Sequence, residues 1–193
     1  MDLTEGTIQE KNNRAKRMML WFGIISLIMS FAGLTSAVLV SRKREDWITD
    51  FEMPSAFLIS CVLIIMSSFT FILAKKALKN NNRSLTTTML LLTFVLGVAF
   101  IYSQFYGFGQ IISSGYNFTG PTSNVTMSFI YVIAFVHILH VIAGLISLLV
   151  VIYNHFKQKY NATEMLGMNL SATFWHFIDI LWLFLFLFLS YLI

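Results

Sequence analysis

Three histidines and one aspartate sit inside long apolar runs toward the C-terminal end of a 193-residue chain. His137 and His140 fall near the middle of SFIYVIAFVHILHVIAGLISLLVVIY. His176 and Asp179 fall a turn or two into SATFWHFIDILWLFLFLFLSYLI. An ionisable group at membrane depth costs roughly 2.5 kcal/mol or more unless it is paired or turned toward a protein interior. Four of them on two neighbouring stretches point to a polar seam between packed helices. Three chemistries use these residue types. One is a structural hydrogen-bond seam with no cofactor. The second is axial ligation of a b-type haem by one histidine from each helix. The third is a proton relay through the histidines and Asp179. The His137/His140 pair alone, at i and i+3 on one face, cannot grip a haem iron from both sides. The spacing fits no ordinary zinc site. No phosphate loop, nucleophile triad or dinucleotide fingerprint occurs.

The elements that must hold these residues are membrane helices. Apolar residues make up 57% of the chain and charged residues 11%, against about 25% charged in a soluble domain. A spanning helix needs roughly 20 apolar residues, and five stretches qualify. They are about 18–40, 54–74, 85–108, 126–153 and 171–193. The expected architecture is all-α: one polytopic five-helix bundle over 18–193, preceded by a polar tail over 1–17. That tail and the long first apolar run do not read as a cleavable signal peptide. Pro54 suits the start of the second helix. Asn80-Asn81-Asn82 reads as a tight connector, and Gly107, Gly109, Gly115, Gly120 and Pro121 as a loop before the fourth helix. The single cysteine, Cys61, can form no intrachain disulfide.

Charge predicts orientation. The N-terminal tail, the second connection and the fourth connection together carry ten basic residues; the remaining connections carry Arg42, Lys43 and Arg44. This asymmetry predicts a cytoplasmic N-terminus and a periplasmic C-terminus. Scattered at helix ends, the basic residues do not make a nucleic-acid surface. The first outer loop balances its three cations with Glu45, Asp46, Asp50 and Glu52, and reads as a solvated loop or a docking surface.

Polar residues form stripes on three helices. Helix four carries His137, His140, Gly144 and Ser147; helix five carries Thr173, His176, Asp179 and Ser190; helix three carries Thr93, Gly97 and Gln104. Small residues on such a stripe allow close packing in lipid. The three stripes are expected to meet in the bundle interior. Rise per residue makes His140 the better placed partner for Asp179. The aromatic residues surround helix five, so they read as lipid- and neighbour-facing bulk. Trp47 and Tyr191 read as interfacial anchors. The triplets at Asn117, Asn124 and Asn161 read as chance occurrences of a glycosylation pattern.

The strings FVHILHVIAGL and FWHFIDILWLFLF closely resemble the cytochrome c oxidase subunit III family. The matching residues are His137, His140, Gly144, Trp175, His176, Phe177, Asp179 and Trp182. MPSAFLISCVLIIMSSFTF resembles an earlier span of the family, and the likeness covers roughly residues 15–193. Longer members have seven spans, the first two helping to form a lipid-holding cleft; this chain resembles the shorter bacterial members with five. Where mitochondrial-type members carry carboxylates, this sequence has Gln104 and Asn169, which cannot ionise. The resemblance implies an accessory, non-catalytic subunit of a bacterial inner-membrane haem-copper oxidase, an oxidoreductase and proton translocator of aerobic respiration. It implies direct packing against subunit I, in a complex with subunit II and other respiratory subunits. Haem and copper would belong to those partners and none to this chain; structural phospholipids are compatible with it. A quinol oxidase or a nitric oxide reductase system are the neighbouring assignments. A b-type haem anchor and a pure assembly scaffold are alternatives of other classes.

Overall fold

The computed structural model describes residues 7–48, 51, 53–118, 124–161 and 164–192. Five helices run in order: α1 (Ile8–Ser41), α2 (Ser55–Lys79), α3 (Arg83–Ser113), α4 (Val125–Phe156) and α5 (Leu166–Leu192). All five are long and apolar enough to cross a membrane, and no strand occurs among the described residues. A bilayer leaves backbone groups no water to bond, so helices that satisfy their own ladders are the expected solution. The helices α2, α3, α4 and α5 form a closed ring, each packing on the next and α5 returning to α2. The α2–α3 contact is the most extensive. Helix α1 lies outside the ring against α4 and α5. Its Trp21, Phe22 and Met29 point outward and are exposed.

Boundaries depart from the apolar runs in a consistent way: the helices are longer than their lipid-compatible cores. The polar segment expected as a tail is helical from Ile8. A capping box starts it: Thr7 accepts from the Glu10 amide, and the Glu10 side chain accepts from the Thr7 amide. Such reciprocal capping satisfies two otherwise orphaned donors. Helix α3 runs past Phe108 to Ser113, so Gly107 and Gly109 are helical and not loop residues. At Gly107 a Cβ would lie 2.6 Å from the Phe57 ring, so the missing side chain seats that ring. Gly115, with φ of 88°, does leave the helix; Gly120 and Pro121 lie outside the described residues.

The connectors carry clear local chemistry. Asn81 adopts φ of 55° in the α2–α3 turn, a conformation asparagine tolerates. Asn82 then caps α3 by accepting from the Leu85 amide. Asn124 caps α4 in the same way through the Thr126 amide. In the first connection Arg44 donates two hydrogen bonds to Asp46, at 2.8 and 3.2 Å. The guanidinium holds the Asp46 carboxyl below its ordinary range. Asp50 and Glu52, the other acids read there, lie outside the described residues. Trp47 is half-buried and packs against the core. Tyr191 is 86% exposed.

Candidate functional site: a polar seam along helix α2

The polar groups of α3 and α5 converge on α2, at Ser60, Ser67 and Ser68, which the stripes on helices three to five do not include. Ser60 is fully buried. Its hydroxyl donates to the Phe57 carbonyl at 2.7 Å. It accepts from Gln104 Nε2 at 2.8 Å and from Trp182 Nε1 at 3.0 Å. A hydroxyl has one proton and two lone pairs, so Ser60 is saturated. This fixes the Gln104 amide: reversed, its oxygen would face an oxygen with no proton left to give. Gln104 Oε1 is consequently left without a partner among the described residues. One turn-pair along the same face, Ser67 accepts from Trp175 Nε1 at 3.0 Å and donates to the Ile64 carbonyl at 2.8 Å. Thr70 and the α3 residue Thr93 share a hydrogen bond of 2.8 Å.

Ser68 lies about 100° further round α2 and serves a different pair. Its hydroxyl is hydrogen-bonded to Asp179 Oδ2 and lies 2.9 Å from His176 Nδ1. His176 packs its ring on Phe71, with centroids 6.0 Å apart. Both conspicuous polar residues of α5 are therefore partnered from α2.

The expected His140–Asp179 pairing does not occur. His140 Nδ1 donates to the Val136 carbonyl of its own helix at 2.7 Å, and its ring meets Phe31 of α1. Depth along the helices alone favours that pairing. Azimuth decides otherwise: Asp179 faces α2, while His140 faces α1. His137 is fully buried. Its Nε2 lies 3.1 Å from the Ile178 carbonyl. A carbonyl only accepts, so Nε2 carries the proton and Nδ1 a lone pair, which has no partner among the described residues. The ring rests against Trp182, with centroids 4.9 Å apart, and against Phe100 at 5.7 Å. Ser147 of the same stripe donates to Ser171 at 3.0 Å. Thr173 is exposed and donates to the Asn169 carbonyl of its own helix at 2.9 Å.

Two indoles fill the ring of helices. Trp175 and Trp182 are each 2% exposed. Trp175 is wedged between two glycines. A Cβ on Gly97 of α3 would lie 2.8 Å from the indole, and one on Gly144 of α4 would lie 3.1 Å from it. Trp182 stacks edge-on against Phe57 and Phe100. Phe177, by contrast, is half-buried at the edge of the core. So the aromatic character of α5 divides: the tryptophans are core, while Phe184 is 53% exposed. Among the described residues no group of three or more His, Cys, Asp or Glu is arranged to hold a metal ion.

The serines were detectable in principle. Ser60, Ile64, Ser67 and Phe71 recur at i, i+4, i+7 and i+11, the signature of one helical face. A serine in a membrane helix commonly bonds its own backbone, so the face could not be told from an idle one by sequence. A testable ranking follows from the donor count. Ser60→Ala strands two buried donors and Ser67→Ala one. At about 1 kcal/mol for each buried donor left unpaired, Ser60→Ala should cost roughly 2 kcal/mol and about twice as much as Ser67→Ala. Unfolding in mixed micelles measures both, and equal costs would contradict the shared-acceptor geometry.

A closed ring of apolar helices with a serine–tryptophan seam defines a polytopic helix-bundle protein, in which Gln104, Trp175, His176, Asp179 and Trp182 bond across to α2. The profile of the family described as cytochrome c oxidase subunit III matches residues 46–192. The chain belongs to that family. It is 35% identical over 136 residues to a cytochrome bo(3) ubiquinol oxidase subunit 3 of Buchnera aphidicola subsp. Baizongia pistaciae. That match covers 68% of this chain and 66% of the relative, just under two thirds of its length. It is 30% identical over 167 residues to a cytochrome c oxidase subunit 3 of Thermostichus vulcanus, covering 84% of this chain and 80% of the relative. A second Buchnera aphidicola relative, from subsp. Schizaphis graminum, is a cytochrome bo(3) ubiquinol oxidase subunit 3, 29% identical over 185 residues. There the match covers 94% of this chain and 96% of the relative. The chain is a multi-pass protein of the bacterial inner membrane.

Proposed function

We propose that this chain is the accessory subunit III of a bacterial haem-copper terminal oxidase, packed against its catalytic subunit I and carrying no redox centre itself. One observation carries the reading within the family. The signature residues Trp175, His176, Asp179 and Trp182 direct their polar atoms at serines of α2, in the chain's own bundle. The level where a haem would sit between α4 and α5 is filled by Trp175 and Trp182 against Gly144 and His137. These side chains support a packing role. The subunit would sustain proton uptake and turnover of the catalytic subunit. Its N-terminus would lie in the cytoplasm, with Lys16, Arg17, Lys79 and Lys159 gathered at that end. With Glu164 they line a cavity of about 600 Å³ that shares Lys16 and Ser147 with a largely apolar groove beside Phe174, and the excess of basic over acidic groups suits an anionic phospholipid.

The electron donor is set by partner subunits. Cytochrome c is the first candidate donor, and relatives named for ubiquinol oxidases favour quinol as the second. Purification in mild detergent through a tag on this chain tests the proposal. The expected result is a haem-copper oxidase spectrum that co-purifies with a large partner and stays with it when this chain is stripped away. A haem signal retained by the stripped chain would overturn the reading. Identification of the co-purifying subunits assigns the donor.

A further inference from the structure

The Ser68 hydroxyl joins two titratable side chains, Asp179 through Oδ2 and His176 through Nδ1. One hydroxyl can serve both partners in either direction, because it holds one proton and two lone pairs. Suppose the pair carries one proton in addition to the Nε2–H of His176. In one arrangement the imidazolium Nδ1–H donates to Ser68, and Ser68 donates to the Asp179 carboxylate. In the other, protonated Asp179 donates to Ser68, and Ser68 donates to the bare Nδ1. The two differ by concerted transfer. The Nδ1–H bond breaks as an Oγ–H bond forms, and the former Oγ–H proton passes to Oδ2. Both arrangements satisfy every contact, and no side chain has to change rotamer.

On the carboxyl side the surroundings keep a shared proton away from other polar groups. Asp179 is 3% exposed and lines a cavity of about 200 Å³ between α2 and α5, together with Ile65, Phe69, Ile72 and Leu183. Apart from Ser68 and Asp179 the walls are apolar, so charge in the cavity is unscreened. His176 is half-buried on the other side of the hydroxyl. On α2 the charged group nearest Ser68 in sequence is Lys75, seven residues further along the helix. On the α4 side the neighbouring titratable group is His137, which donates to the carbonyl of Ile178. We propose that Asp179, Ser68 and His176 form a binding site for one proton, shared between carboxyl and imidazole through the serine hydroxyl and open at its carboxyl end to a groove between α2 and α5. The site stands on this chain's own geometry and does not depend on which oxidase it joins.

Infrared titration of the full-length chain in lipid nanodiscs tests this, with isotope labels on the aspartate carboxyls and histidine rings. Interacting groups titrate as a pair, in macroscopic steps that belong to both. The expected result is a carboxyl band and an imidazole band that change together at shared midpoints, with the carboxyl band lost in Asp179→Asn. Ser68→Ala should separate the midpoints, and Ser68→Thr, which keeps a hydroxyl, should restore them. Independent midpoints in the wild-type chain overturn the proposal. So does shared titration that persists in Ser68→Ala. The wild-type measurement decides the matter even if a variant fails to fold.

Discussion

Replacing Trp175 by alanine is expected to destabilise the folded chain by about 3 kcal/mol. In lipid the transfer of an apolar side chain contributes little, because the bilayer is itself apolar. What remains is the cavity. The indole fills the space that Gly97 and Gly144 leave open on facing helices, and no neighbouring side chain on those two residues exists to collapse into it. Its removal forfeits dispersion contacts on both faces at once. It also strips Ser67 of the donor that α5 supplies. Reversible unfolding in mixed micelles measures the cost. Phe184→Ala is the control, because that ring is 53% exposed and should shift stability by no more than about 0.5 kcal/mol. A Trp175→Ala variant no weaker than the control would show that the indole does not wedge the helices together.

Asp179→Leu should act on assembly more than on the isolated fold. The substitution removes the carboxylate acceptor of Ser68 and leaves a half-buried hydroxyl facing a leucine, with His176 as its remaining side-chain partner. For the isolated chain, stranding such groups costs about 1–2 kcal/mol. The carboxyl also lines a cavity on the outer face of the α2–α5 pair, where polar groups at membrane depth are costly unless covered. Co-purification of the oxidase complex is expected to fall several-fold, with faster inactivation during turnover. Asp179→Asn keeps an oxygen for Ser68 and should retain most of the complex. Unchanged complex yield together with unchanged inactivation for the leucine variant would rule this role out.

The sequence by itself determined the number and course of the helices. Bilayer thickness and the cost of unpaired backbone in lipid leave one solution for five apolar runs of this length. Periodicity also placed His137, His140, Gly144 and Ser147 on one stripe, and Thr93, Gly97 and Gln104 on another. The spacing and order of the WHFxD string were enough to suggest the family. Helix ends were less legible, since polar turns such as Ile8–Arg17 and Gln110–Ser113 continue a helix beyond the apolar core without changing its hydropathy signal. Only the tertiary structure decided which stripes meet. Pairing at membrane depth depends on azimuth as well as height, and a rotation of 100° per residue separates Ser67, which holds Trp175, from Ser68, which holds Asp179. The same rotation turns His140 toward α1 and away from Asp179. The sequence lists serines and tryptophans in strings far apart; closure of the helix ring makes Ser60 a single acceptor for α3 and α5 together, which no one-dimensional period encodes.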